Sequence, residues 1–235
     1  MSDDIGSPAG CLARYRTLLA QYPDHFRDPA DSPIAILTAD QDIEAAQREE
    51  AARRIAQGLS FPDVRVGVLA SDPYLGKLTR DAVRFADGTL GVYNRHIGEA
   101  GCVMLPIIAG SVVLIRIFRH ATREWAWEFP GGRLSPGEDP AIAALHELEE
   151  EIGARDPVLT PLGSIYPYPA FSSARIHLFA AEIDQVGEPQ RAEGIASIEM
   201  VPPARLLEMV DTGEIMDASA IACIMRAKLR GLIAI

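Results

Sequence analysis

Gly131-Gly132-Arg133-Leu134-Ser135-Pro136-Gly137-Glu138 runs directly into residues 139–153, where Glu147, Glu149, Glu150 and Glu151 crowd together before Gly153. Asp139 and Pro140 form an N-cap and a first helical residue, the Ala- and Leu-rich run behind them is a good helix former, and Gly153 is the expected stop. A loop is therefore followed by a helix. At 100° per residue, Glu147, Glu150 and Glu151 fall within about 100° of one another, while Ile142, Leu145, Leu148 and Ile152 share another face. One side reads as core and the other as a carboxylate cluster. Glu147 and Glu151 are one turn apart and repel, so a helix selected only for stability is expected to interleave Lys or Arg. Converging carboxylates instead suit hard divalent cations, which also accept phosphate oxygens. A merely solvated acidic face fits worse, because the helix dipole disfavours anions at a C-terminal end.

The spacing carries a resemblance. From Gly132, five residues lead to Glu138 and seven more lead to His146, followed by Glu147-Leu148-Glu149-Glu150-Glu151-Ile152-Gly153-Ala154. This resembles the Nudix box of the Nudix hydrolases, which cleave a nucleoside diphosphate linked to another moiety. The sequence departs at His146, where the family usually has an Arg bracing the glutamates, and mildly at Ala154, usually a larger aliphatic. His146 is one turn from Glu150 and supplies the missing charge to it only when protonated. The resemblance implies that Glu147, Glu150 and Glu151 hold magnesium, with manganese as a substitute, assisted by the carbonyl of Gly131. Glycine there lets the main chain approach an ion. Glu138 matches a position that braces loop and helix.

Outside the box, Val113-Leu114-Ile115-Arg116-Ile117-Phe118-Arg119, Trp127-Glu128-Phe129-Pro130-Gly131-Gly132, Ile176-His177-Leu178-Phe179 and Gly213-Glu214-Ile215 look like the ADP-ribose pyrophosphatase branch. That branch implies Mg2+-dependent hydrolysis of a nucleotide sugar, ADP-ribose to AMP and ribose 5-phosphate. Another nucleotide sugar such as GDP-mannose, or a non-catalytic sensor, are the alternatives. Arg119 is the expected ligand of a substrate phosphate, since a planar guanidinium bridges phosphate oxygens. Glu128 either meets the substrate or pairs with a nearby Arg. Trp125, Trp127, Tyr166, Tyr168 and Phe171 flank the expected pocket, and Tyr168 and Phe171, on a loop, are best placed for substrate. The branch often draws a further Glu from the loop after the strand at 175–183. Here Gly194, Ile195, Ala196 and Ser197 stand where acids are usual, so Glu193 or a box glutamate takes the role of base.

Composition sets the bounds. With 235 residues, 48% hydrophobic and 23% charged, the chain has material for one large domain or a domain with an extension. A net charge of -11 argues against nucleic acid or an anionic membrane as main partner. Cys11, Cys102 and Cys223 are too widely spaced to suggest a disulfide framework or zinc site. The start shows no basic and apolar leader, so a cytoplasmic protein is expected.

The order of elements completes the expectation. Residues 1–60 read as a mainly helical extension, with Leu12, Tyr15, Leu18 and Leu19 at helical spacing and a capping box from Thr38 to Gln41 opening a second helix. Residues 61–98 alternate with period two around Asp87-Gly88, an antiparallel meander whose strands the resemblance makes a homodimer contact. Residues 99–235 then hold two apolar strands, the short strand at 125–129, the acidic helix, strands at 158–166 and 175–183, and two helices begun by Pro203 and Asp217. The fold class expected is α+β, a mixed sheet between helices.

Overall fold

A computed structural model describes residues 7–234, so the first six residues of the expected extension lie outside the described residues. The chain forms two compact units, residues 1–98 with 170–173, and residues 99–169 with 174–235.

The first unit contains α1 (Pro8–Gln21), β1 (Ile34–Leu37), α2 (Asp40–Ala56), β2 (Gly67–Asp72), β3 (Gly76–Phe85) and β4 (Leu90–Ile97). β3 is its spine, with β4 along one edge and β2 and β1 sharing the other end to end. The β3–β4 turn is the expected one: Gly88 takes φ +85°, and Asp87 accepts the Thr89 N–H at 3.0 Å. Helices and sheet share a core of Tyr15, Leu18, Ile43, Ala46, Val66, Val68, Ala82, Leu90 and Ile97. The described part of the extension is thus packed together with the strands at 61–98.

Three local expectations change. Residues 34–37, within the stretch expected to be mainly helical, form a strand paired with β3. Within the stretch of period two at 61–98, the first strand begins only at Gly67. Finally, α2 has Ala39 at its N-cap with no side-chain cap, and Asp40 and Asp42 supply negative charge to its first turn instead.

The second unit contains β5 (Gly101–Ile108), β6 (Ser111–Arg119), β7 (Glu124–Glu128), β8 (Gly131–Arg133), α3 (Pro140–Ile152), β9 (Val158–Ile165), β10 (Ile176–Glu182), β11 (Ile195–Val201), α4 (Pro203–Asp211) and α5 (Ala218–Leu229). The sheet runs β11-β6-β5-β10-β9, with β7 on β6 and β8 on β5. β10 is parallel to β5 and the other pairs are antiparallel, which is the mixed sheet expected. Met104, Val113 and Ile115 face α3, whereas Leu105, Val112 and Leu114 face α4 and α5, so Val112 to Ile115 are all fully buried. The result is a sheet between two helical layers.

One irregularity in this sheet makes room for the site. β5 and β6 are paired only beside their turn, at Ile107↔Val112 and Ile108↔Ser111, and then diverge. β8 takes up the freed edge of β5, and β7 that of β6. The short link between β7 and β8, anchored by buried Phe129, therefore crosses the gap and delivers the glycine loop next to α3.

In the first unit, Tyr15 Oη donates to Asp81 Oδ1 at 2.5 Å while Arg95 Nε meets Asp81 Oδ2 at 2.5 Å. Burial pushes the Asp81 carboxyl up, and Arg95 and the Tyr15 hydroxyl oppose that shift. Removing the hydroxyl in Tyr15→Phe leaves a buried carboxylate oxygen without its donor, and a loss of about 1–3 kcal/mol is expected from urea unfolding.

Candidate active site

The site is built from α3 upward. Asp139 caps the helix through the Ala141 N–H at 2.8 Å, and Gly153 ends it at φ +66°, with its N–H on the Glu149 carbonyl. Both ends are those expected. The faces agree in part: Leu148 and Ile152 are buried as expected, whereas Ile142 is 48% exposed and Ala143, Ala144 and Glu151 are buried. The core stripe thus combines Ala143 and Ala144 with Leu148 and Ile152 and takes in Glu151, on the side where α3 lies beside β5 and the glycine loop.

Glycine sets the geometry at two successive positions. Met104 N–H donates to the Pro130 carbonyl and Leu134 N–H to the Ala100 carbonyl, both at 2.9 Å. By the alternation of an antiparallel ladder, Gly131 turns its N–H and C=O away from β5. Its N–H donates to Glu151 Oε2 at 2.8 Å, and its carbonyl shares that side of the strand. Gly132 gives its side-chain space to Glu147: a Cβ there would lie 1.8 Å from Glu147 Oε1.

Electrostatics follow from this burial. Desolvation pushes the Glu151 carboxyl up to about 8, the fields of Glu147 and Glu193 add to the shift, and the Gly131 N–H and Arg119 oppose it. Burial likewise raises Glu147, helped by Glu150, Glu193 and Glu138. Near neutral pH, Glu151 therefore keeps a proton unless positive charge replaces it.

The expected residues separate into groups. Glu147 and Glu151 meet at the loop, whereas Glu150 is exposed beside them and acts on Glu147 through its charge. Glu193 is exposed on the 3-10 turn Arg191–Glu193, and its field reaches Glu147 and Glu151. Arg119 and Glu128 form a two-pronged ion pair, Nε to Oε1 at 3.0 Å and Nη2 to Oε2 at 2.6 Å, so the pairing reading holds for Glu128. Arg119 also feels Glu151 and Asp217. His146 does not brace Glu150; its Nδ1 lies 3.5 Å from Glu138 Oε1, and Glu138 in turn accepts the Ser135 N–H at 2.8 Å. Loop and helix are thus joined through Glu138.

The aromatics disperse. Tyr168 is 62% exposed. Phe171 belongs to the first unit, where its ring stacks on His96 with centroids 5.8 Å apart. Trp125 and Trp127 each lie against the Arg116 guanidinium, 5.7 Å from either ring. Register pairs Trp127 with Arg116 and Trp125 with Phe118, while Glu128 pairs with Ile115 of the face toward α3, so the two tryptophans sit on the opposite face from Glu128. Asp217 is the neighbour that sequence reading missed as anything more than a helix cap; its burial and charge coupling to Glu128 and Arg119 are properties of the fold.

Whether these residues fit a cation is a matter of donors and charge. Among the described residues no three His, Cys, Asp or Glu side chains are gathered closely enough to enclose an ion. Glu147, Glu151 and the Gly131 carbonyl nevertheless offer oxygen donors on one side of the loop, and the raised proton affinity of both acids is what a divalent cation relieves. The set fits a hard cation that takes its remaining ligands from phosphate and water. Burial pushes the Cys102 thiol, across from Gly132, up to about 11, so it is no thiolate ligand at neutral pH.

A glycine loop and an acidic helix on a mixed sheet between helices define a class. Residues 99–220 match the NUDIX domain model, and the chain belongs to the Nudix family of hydrolases. It is similar to the ADP-ribose pyrophosphatase of Bacillus subtilis (strain 168), 31% identical over 139 residues covering 58% of this chain and 75% of that one. It is also similar to the GDP-mannose pyrophosphatase of Cronobacter sakazakii (strain ATCC BAA-894), 29% identical over 173 residues, 67% of this chain and 89% of that one. The fold resembles a crystal structure of an ADP compounds hydrolase, with TM-score 0.60 and 23% identity over 70% of this chain and 91% of that one. Nudix hydrolases generally use divalent metal ions. No helix among the described residues is long and apolar enough to cross a membrane.

The Glu151 shift makes a prediction about stability. Folded, the group holds its proton to about pH 8; unfolded, it releases it near 4.5, so between these values the unfolded chain binds fewer protons. Stability should therefore fall as pH rises through that window, by up to ~1.4 kcal/mol per pH unit. Thermal unfolding in chelator from pH 5 to pH 8 is expected to show this slope, Glu151→Gln to flatten it, and a divalent cation to restore stability most at the alkaline end.

Proposed function

We propose that this Nudix hydrolase cleaves the diphosphate of a nucleoside diphosphate sugar with Mg2+, converting ADP-ribose to AMP and ribose 5-phosphate. The observation that carries the reading is the pair of buried Glu151 and half-buried Glu147, held against a side-chain-free loop and short of positive charge. The named activities of its relatives, on ADP-ribose and GDP-mannose, agree with a diphosphate bridge as the target.

Each residue has a task. Glu147, Glu151 and the Gly131 carbonyl hold the cation, with Glu150 adding negative charge at the solvent side. A divalent ion held there would supply positive charge to the phosphate oxygens and make a water a better nucleophile. Arg119, 46% exposed and oriented by Glu128 through Nε and Nη2, keeps Nη1 for a substrate phosphate. Glu193 accepts the proton as water oxygen bonds to phosphorus and the bridging P–O bond breaks. Tyr168, 62% exposed on its loop, is the aromatic proposed to meet the base or sugar, and Phe171 stacks on His96.

A second substrate, GDP-mannose, is kept open by the second relative. The enzyme is further read as a cytoplasmic homodimer joined through residues 61–98, where Phe61 is 97% exposed and Leu75 68%. Sedimentation at the mass of one chain would remove that contact from the proposal.

The direct test is incubation with Mg2+ and a panel of nucleotide sugars, following released monophosphate. ADP-ribose is expected to turn over fastest. Glu147→Gln and Glu151→Gln should each lower kcat by on the order of 10²–10³. Gly132→Ala should do likewise with little loss of fold, since the atom its Cβ displaces is the flexible end of Glu147. Full turnover in Glu193→Gln would transfer the base role to Glu150. Binding without turnover for every panel member would sink the substrate assignment.

A further inference from the structure

The segment between β10 and β11 is fastened at both ends. Gly187 N–H donates to the Ile152 carbonyl at 2.7 Å, and Gln190 N–H to the Glu151 carbonyl at 3.4 Å. Two carbonyls that the end of α3 leaves open are closed in this way. The approach is close because neither strand of the crossing has a side chain: a Cβ on Gly187 would stand 3.3 Å from the Gly153 Cα, and one on Gly153 3.0 Å from the Gly187 Cα. Val186 packs into the core on the α3 side. Past Gln190 the chain makes the turn Arg191–Glu193, and Gly194 follows at φ +84°, its carbonyl accepting the Phe118 N–H at 3.1 Å. Glu193 is therefore suspended between the last turn of α3 and the end of β6, and the carboxyls of Glu147 and Glu151 both feel its charge.

We infer that Gly187 is a positioning residue, which sets where Glu193 stands relative to the carboxylate pair by locking its segment onto the last turn of α3. The inference rests on the role proposed above for Glu193. The helix does not need this contact for its own closure, because Gly153 N–H already reaches the Glu149 carbonyl at 3.0 Å and Ala154 N–H the Leu148 carbonyl at 3.1 Å. A side chain at position 187 therefore lifts the segment and displaces Glu193 while α3 stays formed. Arg119 is held by Glu128 on separate strands, so substrate affinity is not the quantity that changes. The cost falls on turnover, where a misplacement of about 1 Å is worth up to ~10²-fold.

The test compares Gly187→Ala, Gly187→Val, Glu193→Gln and the double variant Gly187→Val with Glu193→Gln, with Mg2+ and ADP-ribose, or the panel member turned over fastest. Expected are a fall in kcat of roughly 10-fold to 10²-fold for Gly187→Val at nearly unchanged KM, a smaller fall for Gly187→Ala, and a double variant no slower than Glu193→Gln alone. Multiplied losses in the double variant would overturn the inference while leaving Glu193 in place; wild-type kcat in Gly187→Val would do the same. Full turnover in Glu193→Gln removes the proposed base and the positioning role with it. Should Gly187→Val not fold, Gln190→Pro is the second variant: Gln190 has φ -74°, which proline adopts, and the change deletes the N–H directed at Glu151. It must show the same kcat loss and the same dependence on Glu193.

Discussion

The hydrogen bond from the Gly131 main chain to Glu151 is the constraint around which the second unit is arranged. A carboxyl that is 3% exposed is costly to ionise, and only a backbone donor and a distant guanidinium offset the cost within the protein itself. The acid lies on the buried stripe of α3 because the loop must touch the helix there. Both successive glycines are demanded by the same closeness, the first to present its main chain and the second to leave room for Glu147. The arrangement is under-compensated by design of its sequence, and a cation is the natural counterweight.

That contact depends in turn on the parting of β5 and β6. Had they remained paired along their whole length, β7 and β8 would have had no edges to join, and the loop between them would not lie over α3. The mixed character of the sheet therefore serves a purpose: the parallel β5–β10 pair and the antiparallel β6–β11 pair close the two sides while the middle opens.

Much of this was legible in the residues themselves. Asp139, Pro140 and Gly153 mark α3 because capping chemistry is local, and the two-residue turn at Asp87-Gly88 marks a hairpin for the same reason. The spacing of glutamates behind Gly132 identified the family. What was not legible depends on neighbours distant in sequence. β1 is a strand only because β3 offers it an edge, and the three-residue β8 is too short to show any alternation. Periodicity places Leu148 and Ile152 in the core correctly, but it favours Ile142 over Ala143 and puts Glu151 outside, and which residues are covered there depends on the strands packed against α3. His146 lies one turn from Glu150 but folds against Glu138, which no helical count reveals. The place of Phe171 in a loop suggests a substrate contact, while the ring it stacks on, His96, is far away in sequence.

The fastening of that loop has a consequence for anyone who would trim the chain. His96 N–H takes the Phe171 carbonyl at 2.8 Å, its own carbonyl takes the Ser173 N–H at 3.0 Å, and its ring meets Ser172 Oγ at 2.9 Å. The tetrapeptide 170–173 is thus a graft from the later part of the chain onto the earlier unit. A shortened enzyme starting at residue 99 would bear that graft without its stock: a phenyl ring stripped of its stacking surface and main-chain groups stripped of their mates. Modularity here is three-dimensional, and scissors applied to the gene cannot follow its seam.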